Sequence, residues 1–231
     1  MPAGDYCDQY AGSLQNGKCT GQTITVRDDG GAPPTPSTPT GYQKTIIFIK
    51  KDTYQGQNIF IRGGISHANK DVCSPGPNQQ ANDPCAIPIV HNTSVPFVYA
   101  EYISWSQGDQ YLDFEGSEER QGTYDGAAPF GTPLAYSTND ATAIEYQPYN
   151  KYGSGYWMVQ LLVDCKKTDQ GWFELKGYLS PSVGWEQDIS QKKCTGALGG
   201  SSPFSSKNHV AKCGAVNVFT WGSSDCIIDS V

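Results

Sequence analysis

The sequence predicts an all-β protein, an antiparallel β-sandwich with disulfide-bonded loops and a C-terminal extension. Two features of the composition point to this class. The 26 glycines and 15 prolines provide frequent turns, while 14 tyrosines, 8 phenylalanines and 5 tryptophans provide bulky side chains that favour strands. Long stretches rich in leucine and alanine, typical of helices, are absent from the sequence. We therefore expect many short strands joined by turns.

The strand candidates of the main body are short stretches rich in β-branched and aromatic residues, bounded by turn-forming residues such as Gly56. An antiparallel sandwich accommodates strands of this length and spacing. The long segments between them, residues 66–96 and 116–153, are predicted to be loops, and such loops often carry binding residues. The strand candidates are residues 44–50, 57–62, 97–104, 111–115, 156–163 and 172–179.

A proline-rich linker divides the sequence. Residues 32–41 contain four prolines, which favour an extended, solvated chain. The linker separates a short N-terminal piece, residues 1–31, from a body at residues 42–190 that is long enough for a sandwich core. Residues 191–231 hold three cysteines and one strand candidate at 215–221. We expect this last segment to be an extension that disulfides attach to the sandwich.

The cysteines are eight in number and form no Cys-x-x-Cys pair. This pattern favours disulfides over a zinc site and indicates an oxidising compartment, so we expect a secreted, extracellular protein. Eight cysteines allow about 105 pairings. Short spacings favour three local loops, which leaves one further pair. The expected disulfides are Cys7–Cys19, Cys73–Cys85, Cys213–Cys226 and Cys165–Cys194.

The charge of the chain excludes some classes of partner. A net charge of −7 and a pI of about 4.9, without a basic stripe, argue against nucleic acid binding. No apolar run approaches the ~18–20 residues that cross a bilayer, so no membrane partner is expected. Asn92, in Asn-Thr-Ser, is a candidate glycosylation site that fits secretion. Residues 1–5 lack the features of a signal peptide, which points to a fragment or a processed product.

The N-terminal piece carries a first family resemblance. Residues 2–8 (PAGDYCD), 16–21 (NGKCTG) and 25–30 (TVRDDG) resemble the end of the C-terminal β domain of animal α-amylases. The similarity ends where the proline linker begins, so the piece is interpreted as a remnant of that domain. The catalytic barrel of that family precedes this domain. The resemblance therefore implies no catalytic residues and no enzymatic activity for this chain.

The body carries a second resemblance. Four of its segments are similar, in the same order, to the segments YGENIYLVG, WYVTV, FEYKF and VEWE of the starch-binding domains of glucoamylases. The four segments are residues 54–61 (YQGQNIFI), 156–159 (YWMV), 172–176 (WFELK) and 184–186 (GWE). The body as a whole resembles the additional C-terminal domain of some secreted invertebrate α-amylases. The resemblance implies a sandwich that binds a glucose polymer.

Proteins bind sugars by placing an indole or phenol against the apolar face of the ring, with polar groups at its hydroxyl rim. The resemblance implies that Trp185 is the main stacking residue and that Lys176, Glu186 and Gln187 lie at the rim. Trp172, at a hairpin end, could bind sugar or be structural. Trp105 is a further candidate, as a second platform or a structural residue. Tyr149, in the tyrosine-rich loop 146–153, is a candidate binding residue, and the alternative is an ordinary loop with exposed phenols. Trp157 is expected in the core and Trp221 in packing of the tail.

Acidic residues cluster at the end of the fourth strand candidate. A solvated acidic loop is the favoured interpretation, with calcium binding or glycoside hydrolysis as alternatives. EF-hand spacing is absent, and the three histidines show no paired spacing. We therefore expect no catalytic or metal site and no cofactor, with calcium as the remaining possibility. The clustered residues are Asp109, Asp113, Glu115, Glu118 and Glu119.

These observations together predict a non-catalytic carbohydrate-binding protein. The expected partner is a polysaccharide, foremost a starch- or glycogen-type α-glucan, bound by the C-terminal appendage of an α-amylase. The alternative is a secreted structural, adhesive or self-assembling protein that reuses the same appendage and associates with itself. A small glycosidase that uses the acidic loop is a third hypothesis.

Overall fold

The computed structural model describes residues 39–65, 85–92, 99–114 and 116–231, together with the backbone of four short strands within residues 4–26. The chain divides into two compact units, Met1–Pro39 and Thr40–Val231. In the first unit, two antiparallel pairs join β1 to β4 and β2 to β3. The four strands are β1 (Gly4–Cys7), β2 (Leu14–Gln15), β3 (Lys18–Cys19) and β4 (Thr23–Val26).

The second unit contains twelve described strands in two sheets and one described α-helix, α1 (Ala100–Ser106). The strands are β5 (Tyr42–Lys50), β6 (Asn58–Gly64), β7 (Ile87–His91), β8 (Tyr111–Leu112), β9 (Thr132–Pro133), β10 (Ala135–Ser137), β11 (Tyr156–Asp164), β12 (Trp172–Ser180), β13 (Gly184–Trp185), β14 (His209–Lys212), β15 (Ala215–Thr220) and β16 (Cys226–Ser230).

The two sheets form an open sandwich, which confirms the predicted fold class. The first sheet has seven strands in the order β16–β15–β5–β11–β7–β8, with β10 also paired to β11. The second has five, in the order β13–β12–β6–β9, with β14 also paired to β12. All pairs within the two sheets are antiparallel except β15 with β5, which is parallel.

The centre of the first sheet is the pair β5–β11, which is in register over nine residues. Ile46, Ile47, Phe48 and Ile49 of β5 are all fully buried. A continuous apolar run is typical of a strand that is covered on both faces. β5 therefore lies at the centre of the hydrophobic core. The second sheet contributes further core residues, such as Leu175 of β12.

The second sheet is buried on one face and partly covered on the other, where Phe60 of β6 is buried opposite Tyr178. Along β12, Phe173, Leu175 and Leu179 are buried, whereas Lys176 and Tyr178 between them are partly exposed. Successive strand residues point to opposite faces, so this alternation defines an inner face and an outer face. The outer face carries the candidate site.

The C-terminal segment is more than the predicted extension. Its strands β14, β15 and β16 are members of the two sheets, and β15 lies directly beside the central strand β5. Val216, Val218 and Phe219 of β15 are buried in the core. Residues 191–231 therefore complete the sandwich instead of lying on it.

The disulfides correct two predicted pairings. The structure joins Cys165 to Cys213 and Cys194 to Cys226, so the expected pairs Cys165–Cys194 and Cys213–Cys226 are wrong. The short spacing of Cys213 and Cys226 was misleading because Cys226 begins β16 opposite Phe219, six residues along the chain from Cys213, so the hairpin of β15 and β16 keeps the two cysteines apart. Cys85 is also disulfide-bonded. The predicted pairs Cys7–Cys19 and Cys73–Cys85 involve side chains outside the described residues.

The strand predicted at residues 97–104 is also wrong, because α1 occupies Ala100–Ser106. Tyr102, Trp105 and Ser106 are its buried residues. Their spacing of three and four residues places them on one side of a helix, whereas a strand would divide them between two faces. Burial of this helical stripe overrides the strand preference of the aromatic and β-branched side chains.

Candidate functional site

An exposed group of aromatic side chains lies on the outer face of the second sheet. We call Phe130, Tyr178 and Trp185 the aromatic patch. Trp185 of β13 is directly opposite Tyr178 of β12, so their side chains share a face. Trp185 is 45% exposed and Phe130 37% exposed. Both values are high for large apolar side chains on a sheet that is packed on its other face.

The rings of the aromatic patch contact one another in defined geometries. Phe130 stacks on Tyr178 with ring centroids 4.9 Å apart and planes inclined by 17°. Trp185 meets Tyr178 edge to face, with centroids 5.3 Å apart and an interplanar angle of 89°. Such pairs each contribute about 0.5–1.5 kcal/mol beyond the burial of area, so the patch is held in one arrangement.

Arg62 of β6 links the members of the patch. Its guanidinium carbon lies 4.8 Å from the ring centroid of Trp185 and 5.4 Å from that of Tyr178. Its Nε donates a hydrogen bond of 2.6 Å to the carbonyl oxygen of Phe130. The cation is attracted to the negative faces of the rings, which helps to fix the orientation of the indole.

A polar rim borders the patch. Lys176 lies two residues before Tyr178 on the same face of β12, and its Nζ donates to Asp188 at 2.6 Å. This hydrogen bond and the charge of Lys176 hold the pKa of Asp188 below its usual value. Gln187 is exposed, and its amide donates to the carbonyl of Gly222 at 3.2 Å. The rim therefore offers an ammonium, a carboxylate and an amide beside the patch.

Glu186 is not at the rim, contrary to expectation. It follows Trp185 directly and therefore points to the opposite face, where it is only 3% exposed. Its carboxylate accepts hydrogen bonds from His209 and from the backbone N–H groups of Gly177 and Gly222. Burial raises the pKa of Glu186, but these hydrogen bonds outweigh burial and hold the pKa below its usual value. The side chain is thus a buried carboxylate.

Trp172 and Trp105 are also unsuited to stacking on a sugar, because they are buried to 8% and 7% exposure. Trp105 packs on Phe60 with centroids 5.0 Å apart and donates its indole N–H to the carbonyl of Ala127. α1 thus covers part of the outer face that the sequence left open. Trp157 is buried at 6% exposure, as predicted.

Tyr149 is half-buried and lies outside the aromatic patch. Its hydroxyl accepts a hydrogen bond of 2.8 Å from Lys44, and the Lys44 ammonium lies 4.8 Å from its ring centroid. These contacts connect the tyrosine-rich loop to β5. They are the contacts of a structural side chain, which is neither a sugar-binding residue nor the freely exposed phenol of the alternative interpretation.

Three of the clustered acidic residues are in the protein interior or hold backbone groups. Asp109 and Asp113 are buried, and the carboxylate of Asp109 lies 2.6 Å from Nε2 of His91. Glu118 accepts hydrogen bonds from two backbone N–H groups, and burial raises its pKa to about 7. A solvated acidic loop is therefore the wrong description of these residues. Glu115 lies outside the described residues.

The acidic residues do not assemble into a metal site in the described part of the chain. Within residues 39–65, 85–92, 99–114 and 116–231, no group of three or more histidine, cysteine, aspartate or glutamate side chains is placed to hold a metal ion. The backbone N–H of Asn92 donates to the carbonyl of Gln160, and the rest of its sequon lies outside the described residues.

A cleft of about 280 Å³ was missed by the sequence analysis. The loop at residues 53–58 forms one wall, and Tyr99, Tyr136 and Trp157 contribute aromatic side chains. Tyr54 at its mouth is 84% exposed. Tyr99 and Tyr136 come from segments distant in sequence, so the sequence offered no signal that joined them. An exposed tyrosine beside a Gln- and Gly-rich turn was the one available hint.

Comparisons with known proteins identify one related stretch. An α-amylase-related protein of Drosophila elegans is 60% identical over 30 residues, which is 13% of this chain and 6% of that protein. The α-amylases of Tribolium castaneum and Tenebrio molitor are 56% and 53% identical over 32 residues, 14% of this chain and 6% and 7% of theirs. A short stretch of this chain is amylase-related. No family model and no solved structure matches.

These matches cover a small part of either protein, since the aligned stretch is 6–7% of the length of these relatives. No catalytic barrel occurs within the part of the chain that the structure describes. The disulfides of the described residues and the amylase-related stretch are consistent with an extracellular location. Among the described residues, no helix is both long and apolar enough to span a bilayer.

Proposed function

We propose that this protein is a non-catalytic carbohydrate-binding protein, the C-terminal appendage of a secreted α-amylase, and that it binds a starch- or glycogen-type α-glucan on the aromatic patch. One observation carries the proposal. Trp185 exposes almost half of its surface on a rigid sheet, beside a second aromatic ring and a polar rim. A contiguous exposed aromatic patch with a polar rim is typical of a binding site.

The chemistry of the patch suits a sugar. The C–H face of a glucose ring is apolar and packs on an indole, while its hydroxyls need donors and acceptors at the edge. Arg62 lies over the Trp185 ring, and 45% of the Trp185 surface remains exposed for a sugar. Lys176, Asp188 and Gln187 provide the donors and acceptors beside it.

The amylase-related stretch supports an α-glucan as the ligand. Binding of a small patch to a flexible polymer should be weak, because ordering the glycan offsets much of the contact energy. In a longer protein, glucan binding by the patch would raise the effective concentration of a tethered enzyme on the polymer surface. A modest affinity is enough for this role, because the polymer presents many binding positions.

The test is a pull-down with granular starch. Wild-type protein should sediment with the granules, and Trp185→Ala should remain largely in the supernatant. Tyr146→Ala is the matched control, since it removes an aromatic side chain that is 38% exposed and outside the patch. The control should sediment like the wild type.

Three outcomes would count against the proposal. Wild-type protein that stays in the supernatant excludes starch binding, and equal sedimentation of Trp185→Ala excludes the aromatic patch. Concentration-dependent self-association of the wild type without glycan, abolished by Trp185→Ala, would instead assign the patch to the structural or self-assembling alternative.

A further inference from the structure

The strand that carries Trp185 is short. β13 comprises only Gly184 and Trp185, which pair with Leu179 and Tyr178 of β12. Residues 181–183 before it are exposed, as are Gln187 and Asp188 after it. Two paired residues alone are a weak anchor for a binding side chain. Ring contacts and Arg62 orient the indole itself, but the backbone that carries it needs a further anchor.

Glu186 provides contacts to three separate segments. One carboxylate oxygen accepts from the N–H of Gly177 in β12 at 3.1 Å. The other accepts from the ring of His209 in β14, at 2.9 Å, and from the N–H of Gly222 after β15. The side chains of Glu186 and His209 are each 1% exposed, so water does not compete for these hydrogen bonds.

We propose that Glu186 is the positioning residue of Trp185. The inference rests on the proposed function only in naming the indole as the ligand contact. The carboxylate lies one residue away from the indole on the opposite face, so it fixes the backbone of β13 without touching a ligand. Charge-assisted hydrogen bonds are about twice as strong as neutral ones, which suits a buried anchor.

The anchor continues into the core. The ring of His209 stacks on Phe219 of β15, with centroids 4.5 Å apart and planes inclined by 27°. Phe219 is buried and pairs in register with Ile49 of β5. A series of direct contacts therefore connects the central strand of the first sheet to the backbone of β13.

Gly177 of β12, which lies against the Glu186 carboxylate, leaves room for this contact because it has no side chain. A Cβ at Gly177 would lie 2.5 Å from the Trp221 ring and 3.3 Å from the Glu186 carboxylate. Glycine within a strand often marks such a close approach. Trp221 and Glu186 therefore both reach the β12 backbone because position 177 has no side chain.

The test uses the full chain labelled with 5-fluorotryptophan and ¹⁹F NMR without glycan. Trp185→Phe and Trp157→Phe samples assign two of the lines. Glu186→Gln keeps the size of the side chain but replaces one accepting oxygen by an N–H₂ group. At least one of the three groups that donate to the carboxylate then faces another donor and loses its hydrogen bond. We expect the Trp185 line to shift or broaden, while the Trp157 line stays in place. Asp225→Asn, which removes an exposed carboxylate, is the control and should change neither line.

A second pair of variants covers the case in which Glu186→Gln does not fold. His209→Leu removes the donor to the carboxylate, whereas His209→Gln keeps an N–H that reaches to a similar distance. The Trp185 line should move in the first variant and return towards its wild-type position in the second. A merely structural role of His209 would not predict this rescue at the indole.

The outcomes separate this inference from the proposed function. A Trp185 line that stays unchanged in Glu186→Gln and in His209→Leu, with the Trp157 line in place, overturns the positioning role. Where starch binding is observed, Glu186→Gln should weaken it by about tenfold, the effect of one lost charge-assisted hydrogen bond. If the line moves but wild-type protein does not bind starch, the positioning role stands and the proposed function is wrong.

Discussion

Replacement of Glu118 by glutamine should stabilise the protein at alkaline pH. One carboxylate oxygen of Glu118 accepts hydrogen bonds of 2.7 Å from the backbone N–H groups of Gln110 and Tyr111. Burial, and the nearby negative charge of Asp109, raise the pKa of Glu118 from 4.5 to about 7. Glutamine keeps the accepting oxygen and removes the charge. The substitution therefore isolates the cost of ionising this group in the folded protein.

The sign of the effect follows from linkage. A carboxyl group whose pKa is raised on folding binds its proton more tightly in the native state. Its contribution to the free energy of unfolding is complete below pH 4.5 and is lost as the pH rises through about 7. The full pKa shift of Glu118 would correspond to a loss of about 3 kcal/mol in the free energy of unfolding. Because the side chain is partly exposed, we expect about 1 kcal/mol.

The assay is urea denaturation of the wild type and Glu118→Gln at pH 4.5 and at pH 8.5. The variant should exceed the wild type by about 1 kcal/mol at pH 8.5 and match it closely at pH 4.5. Glu119→Gln, which neutralises the exposed neighbouring carboxylate, should show no such pH dependence. A difference between Glu118→Gln and wild type that is equal at both pH values would refute the reasoning.

Two further variants test the packing of the sandwich. Gly177→Ala should lower the free energy of unfolding by about 2 kcal/mol, because the new methyl group overlaps the Trp221 ring. Urea denaturation measures this change, and an unchanged midpoint would contradict the close approach of Trp221 to Gly177. Replacement of both Cys165 and Cys213 by alanine should cost about 2–4 kcal/mol, because that disulfide joins residues 48 positions apart. Calorimetry tests this, and peptide mapping that finds Cys165 joined to Cys194 would disprove the pairing.

Much of the fold could be predicted from the sequence because its signals are local. The runs at 44–50 and 156–163 are continuous β-branched and aromatic stretches, and the structure places strands there as β5 and β11. α1 was missed because its aromatic and β-branched residues favour strands, and the decisive signal was the helical spacing of Tyr102 and Trp105.

The candidate site was predictable only in part, because contacts across strands carry no local signal. Trp185 lies between glycine and glutamate, and its polar neighbours indicated an exposed side chain. Phe130 and Arg62 join it from segments more than fifty residues away, and nothing in the sequence connects these three positions. The burial of Glu186 follows from alternation alone: if Trp185 points outward, the next strand residue points inward.

The most direct measurement of the central claim is isothermal titration calorimetry of the chain with a soluble α-glucan oligosaccharide. We expect measurable, saturable binding by the wild type and none by Trp185→Ala, whose thermal unfolding temperature should fall by only a few degrees because it loses the Tyr178 and Arg62 contacts. An absence of heat from the wild type, or an equal dissociation constant for the variant, would contradict the claim.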